Sequence, residues 1–162
     1  MEESLKKILW AQFGAAIDML ENALQACPDE LWNTGSRFWY NGYHVLFWLD
    51  YYLCEDPARF LPPGPFTLSE FDPEGAMPGR VYSKTELLDY LRFGRKKCHD
   101  LIASLQPGDS RRFINAKKNY GIIEILLYNM RHVQHHAAQL NLLLRQGAVE
   151  PPLWVSRAKM PL

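Results

Sequence analysis

Residues 120–147, YGIIEILLYNMRHVQHHAAQLNLLLRQG, decide the fold. Ile122, Ile125, Leu126, Met130, Val133, Ala137, Leu140 and Leu144 recur at the three- and four-residue spacing of one helical face. A long amphipathic helix is therefore predicted from Tyr120 to Gln146, with Gly147 placed to cap its C-terminus. A face that broad has to be buried against other elements. The rest of the chain supplies three more helical stretches.

The first is predicted from Ser4 to Ala26, with Leu5, Leu9, Ala16, Met19, Leu20 and Ala23 on its stripe and Pro28 ending it. One polar residue, Gln12, falls on that stripe. The second runs from Ser36 to Leu53 and is crowded with aromatics, among them Phe38, Trp39, Tyr40, Tyr43, Phe47, Trp48, Tyr51 and Tyr52. The run shows no two-residue alternation, and its length favours a helix over a strand. The third opens on a capping box, Ser83 with Glu86, and carries Leu87, Leu88, Leu91, Cys98, Leu101, Ile102 and Leu105 until Pro107 and Gly108 stop it. The short connection from Pro28 to Gly35 predicts that the first two helices are antiparallel neighbours. The stretch from Cys54 to Tyr82 holds six of the eleven prolines and is long enough to cross over, which would set the third helix parallel to the second. The expectation is an all-α, four-helix bundle of up-down-down-up order, one domain over residues 1–162, with essentially no sheet.

With 48% hydrophobic residues the chain can bury a core. Its 18 basic and 18 acidic residues cancel, which argues against nucleic acid as a partner. The densest basic cluster, Arg92, Arg95, Lys96 and Lys97, reads as the solvated face of the third helix. Cys27, Cys54 and Cys98 are widely spaced and odd in number, so a disulfide framework, a thiolate zinc site and cysteine catalysis are all disfavoured. The opening MEESLKKILWAQFG has no apolar signal core and no run is long enough to span a bilayer, so no membrane partner and a cytoplasmic location are expected. The aromatic load of the second helix exceeds one inward stripe, predicting an exposed aromatic patch and a homodimer.

His132 and His136 are four residues apart, about 40° around the helix and about 6 Å along it, so both can converge on one ion. Alone, such a pair is equally compatible with ordinary packing. A third histidine, His44, lies mid-way along the aromatic helix, and facing helices that each aim histidine inward are the arrangement from which bundle metal sites are built. His44 is equally compatible with a buried neutral imidazole hydrogen-bonded to a tyrosine or a carbonyl. His135 points about 100° away from His136, and His99 has no partner in sequence. Val133 and Gln134 stand where a metalloprotease helix would carry its glutamate, so the built-in general base of that motif is absent.

NGYHVLFWLDYYL and NMRHVQHHAAQLNLLLRQ resemble the two motif segments of the DinB-like, or DNA-damage-inducible, superfamily of four-helix bundles. Ala137 and Ala138 replace the frequent Arg-Gly of that family. The resemblance implies that His44, His132 and His136 bind a divalent transition metal (zinc, nickel or iron) completed by water. It further implies an activity of the kind known among family members, which include bacillithiol-, mycothiol- or glutathione-dependent transferases and isomerases. The expected chemistry is activation of a low-molecular-weight thiol for transfer to an electrophilic small molecule, with hydrolase or isomerase chemistry less favoured. The loop from Cys54 to Tyr82 is the expected wall of the substrate pocket. A second reading is a non-catalytic, metal-stabilised structural or partner-binding bundle, distinguished by whether a solvent-connected cavity adjoins the metal.

Overall fold

The computed structural model of the protein describes residues 3–162, so the acidic Glu2 of the opening segment lies outside the described residues. Four long helices carry the fold: α1 (Glu3–Ala26), α3 (Phe38–Tyr51), α4 (Lys84–Ser104) and α5 (Ile122–Gln146), with a one-turn helix α2 (Asp29–Trp32) between the first two. The capping box forms as expected: Ser83 Oγ accepts from Glu86 N, and the Glu86 carboxylate accepts from Ser83 N at 2.8 Å.

The four helices form a ring in which α1 and α3 each pack against α4 and α5. Thus α1 and α3 lie across the bundle from one another, which corrects the expectation that they are neighbours. The short turn reads as adjacency in sequence, but α2 carries the chain across instead. Gly42 lets the diagonal pair close up, since a β-carbon there would sit 2.8 Å from Leu24 Cδ2 and 3.1 Å from Leu87 Cδ1. Along α3 and α5 the pairings run in opposite senses: His44 meets His136, the Leu49 carbonyl accepts from Asn129, and Tyr52 meets Tyr128. Along α3 and α4 they run in the same sense, from Gly42 against Leu87 to Asp50 against Lys97.

A small antiparallel hairpin corrects the expectation of essentially no sheet. Strand β1 (Arg112–Ile114) pairs with β2 (Asn119–Gly121), placing Phe113 opposite Tyr120. Asn115 Oδ1 accepts from the backbone N–H groups of Lys117 and Lys118, which turns the chain, and Phe113 is buried edge-on against Tyr51 and Tyr52. Tyr120 and Gly121 are spent on this pairing, so α5 begins at Ile122 rather than Tyr120. At its other end Ala148, not Gly147, takes the left-handed conformation (φ 61°), and Val149 N donates to Leu144 O to close the last turn. Gly147 is needed for space: a β-carbon would lie 2.2 Å from Leu31 Cδ1.

The segment 54–82 lies over α3. Phe60, Phe66 and Phe71 pack their rings on Tyr43, Phe47, Trp48 and Tyr51. A helix that is apolar all round is one that is buried all round. Accordingly Phe38, Trp39, Tyr43, Phe47 and Tyr51 are buried and Trp48 is half-buried. The exposed aromatic patch expected on this helix is therefore not there.

The basic cluster on α4 is likewise not one solvated face. Arg95 bridges Asp18 and Glu21 of α1, and Lys97 reaches buried Asp50 of α3 at 2.5 Å, while Arg92 and Lys96 pair locally with Asp89 and Asp100. Beyond α5 the chain returns along α1. Ala158 N donates to Ala11 O at 2.8 Å, Trp10 Nε1 to Met160 O at 2.7 Å, and Gln12 Nε2 to Ser156 O at 3.3 Å. Gln12 itself is exposed, so the polar residue expected on the first apolar stripe lies off the buried face of α1. Among the described residues no helix is long and apolar enough to cross a membrane.

Candidate metal centre

The antiparallel packing of α3 on α5 brings His44 against the one-turn pair His132 and His136. Ring centroids are 5.6 Å (His44–His132), 4.7 Å (His44–His136) and 4.4 Å (His132–His136) apart. One ligand nitrogen from each ring lies within 4.8 Å of the other two. All three residues are half-buried, at the border of the α5 core stripe rather than at its centre, so the cluster is open on one side to solvent.

Two rings are held from outside the cluster. His44 Nδ1 is 2.6 Å from Glu70 Oε2, and His136 Nδ1 is 2.7 Å from Gln139 Oε1. An imidazole whose Nδ1–H is engaged presents its Nε2 lone pair, which is how ligating histidines are oriented. His132 Nδ1 is buried with no hydrogen-bond partner. Leaving such an atom unsatisfied costs about 1–3 kcal/mol, and this ring, unlike the other two, is not oriented from outside.

Electrostatics points the same way. Burial, and then the neighbouring imidazoles of His136 and His44, push His132 down to about 3. His136 is pushed down to about 4 by burial and then by His44. These rings are neutral near pH 7, the form in which imidazole binds metal. Glu70 feels the opposite balance: burial would raise it, but the hydrogen bond from His44, with further donors around it, holds the carboxyl below its ordinary value. Three imidazoles converging with no carboxylate among the ligand atoms fit a borderline divalent transition ion.

A profile of the DinB superfamily matches residues 12–140. The chain belongs to the DinB superfamily. No curated protein matches it closely enough to bring a named activity with it. Relative to the DinB motif, Ala137 replaces an arginine at a position that is completely buried here, where a guanidinium would have no water and no room.

The other residues singled out in the sequence fall outside the cluster. His135 is exposed, its ring edge-on to that of His136 at 5.0 Å. His99 packs edge-on against Trp10 at 5.0 Å, on α4. Burial, the leading cause, pushes Cys27 and Cys54 up to about 11, and Cys98 well above its ordinary value, which suits structural thiols. Glu70 and Gln139 were not foreseen. Gln139, three residues beyond His136 on the same helix, was open to a spacing argument; Glu70 was not, because it reaches His44 from a non-helical segment.

A groove of about 680 Å³ runs between α1, α5 and the returning tail, lined by Gln12, Ala16, Arg131, His132, His135 and Trp154 among others. Its walls include none of the segment 54–82. The loop covers α3 and delivers Glu70 instead.

Proposed function

We propose that this DinB superfamily member holds one divalent transition ion (zinc, nickel or iron) on His44, His132 and His136 and uses it to activate a low-molecular-weight thiol for transfer to an electrophilic small molecule. The observation that carries the reading is the convergence of three imidazoles from two helices, two of them oriented from outside, beside an open groove that reaches His132. With three neutral ligands a bound ion would keep its full charge and an open position, and would lower the pKa of a thiol or water there. His44 and His136 supply donors whose tautomers are set by Glu70 and Gln139. The groove supplies a recess of the size small-molecule sites have, with Arg131 and Gln12 as polar groups on mostly apolar walls. In the transfer, the thiol gives its proton to solvent, its sulfur bonds to the electrophilic carbon, and the leaving group departs with the bonding pair.

The reading includes a single domain of up-down-down-up order, supported by the parallel pairing of α3 with α4 and the antiparallel pairing of α3 with α5. The non-catalytic alternative, an ion that only cross-links α3 and α5, has no use for a groove reaching a ligand. Metal analysis of the purified protein, then thiol consumption with bacillithiol, mycothiol and glutathione against a panel of electrophiles, tests the proposal. Stoichiometric metal with metal-dependent thiol loss is expected. Protein that takes up no metal would overturn the whole reading; metal without turnover of any thiol would leave the cross-linking role.

A further inference from the structure

Glu70 belongs to a one-turn 3-10 segment, Ser69–Phe71, inside the crossover, yet its side chain is among the least exposed carboxylates, at 4%. One oxygen, Oε2, accepts from His44 Nδ1 at 2.6 Å and from Trp48 Nε1 at 2.9 Å. The other, Oε1, is buried with no partner. The segment is fixed on both sides of the carboxylate. The Tyr43 hydroxyl donates to Thr67 O at 2.7 Å, and Phe71 sits against Phe47 and Tyr51 at 5.0 and 4.9 Å. Glu70 is thus held in place by α3 itself, from Tyr43 beside His44 to Tyr51 two turns beyond it.

A buried carboxylate with a bare oxygen is expensive unless positive charge lies close by. The groups that face Glu70 are the His44 ring, the Trp48 N–H and the Tyr40 hydroxyl, and of these only the imidazole can carry a positive charge or a cation. The three histidines are also unequal: His44 is backed by a charge, His136 by a neutral amide, and His132 Nδ1 by nothing. A carboxylate on Nδ1–H fixes the tautomer and makes the opposite nitrogen a stronger donor.

We propose that Glu70 is the positioning residue of the metal centre: it locks His44 as the Nδ1–H tautomer and makes it the strongest of the three donors, so that the crossover loop belongs to the site without supplying a ligand. This rests on the metal reading above. The test uses zinc as the probe, on the full chain and its E70Q, E70A and Q139A variants. Zinc affinity is measured by competition with a chromophoric chelator, and the tautomer of His44 by long-range ¹H–¹⁵N spectra of metal-free protein. In the unaltered protein His44 should be the Nδ1–H tautomer. Glu70→Ala should populate both tautomers and weaken zinc about 10–100-fold, the range for outer-shell partners of ligating histidines. Glu70→Gln keeps the side-chain shape and one acceptor and should weaken zinc about 10-fold, which keeps the idea testable should the alanine variant fail to fold. Gln139→Ala should have a smaller effect than either. An Nε2–H tautomer in the unaltered protein, or zinc affinity in folded E70A or E70Q within twofold of the parent, would overturn the proposal. Unchanged zinc affinity in His44→Ala would instead sink the metal reading on which it rests.

Discussion

Replacing Lys97 with methionine should expose how much of the bundle's stability hangs on a single buried charge. Asp50 is 1% exposed. Its Oδ1 lies 2.5 Å from Lys97 Nζ, which also donates to the Asp50 carbonyl at 3.1 Å, and its Oδ2 accepts from the Tyr90 hydroxyl at 3.0 Å. Methionine preserves the apolar stem that runs past Phe60 and Phe93 but leaves the carboxylate with the tyrosine alone. Breaking a buried pair costs about 3–5 kcal/mol, reduced here to about 2–4 kcal/mol because Lys97 is 28% exposed and water can reach the gap. At about 2–4 °C per kcal/mol for a chain of this size the midpoint should fall about 5–15 °C. Urea unfolding of both proteins at pH 7.5 reads this directly, and a double variant with Asp50→Leu should recover much of the loss. A loss below about 1 kcal/mol, or a double variant no more stable than the single one, would refute the claim that the carboxylate depends on Lys97.

Three further outcomes are expected. His44→Ala, His132→Ala and His136→Ala should each strip most bound metal, whereas His99→Ala should leave it unchanged and exposed His135→Ala should lower it modestly at most, by elemental analysis of purified variants. In metal-free protein His132 and His136 should stay neutral down to about 3 and 4, as read by imidazole NMR shifts. Their folded values lie below the ordinary 6.5, so the unfolded chain takes up protons first. Stability should then be complete above about 6.5 and decline as pH drops toward those values. Gly14→Ala would place a β-carbon 2.6 Å from Ala158 Cβ; it should lift the returning tail, lower stability by about 1–3 kcal/mol and open residues beyond 150 to limited proteolysis, while leaving metal content intact.

The long helices were legible because each carries its own local evidence: the Ser83–Glu86 box, the aromatic run without alternation, and the stripe from Ile122 to Leu144. The three histidines were legible for a related reason, since a pair on one helix needs only helical geometry and His44 lies on another. What sequence did not disclose are relations between segments. Nothing local says that α1 faces α4 and α5 rather than α3. The hairpin is three residues a side and hides Phe113 as its single buried residue, too short for an alternation to register. Glu70 is one acidic residue in a proline-rich crossover, and only the fold reveals that it ends 2.6 Å from His44. Gly147 caps α5 as its place in the sequence suggests, donating its N–H to the Leu143 carbonyl, but that its missing side chain also makes room for Leu31 is a relation between segments.

The tail that returns along α1 has a consequence for the order of folding. Trp10 reaches the Met160 carbonyl and Gln12 the Ser156 carbonyl across 150 and 144 residues of chain, and α5 packs on the same helix. Contacts of such sequence separation close the longest loops and are slow to form. Phe13, Ile17 and Leu20 are therefore sealed late in refolding, after the nearer pairing of α3 with α4, and His44 waits similarly for His132 and His136.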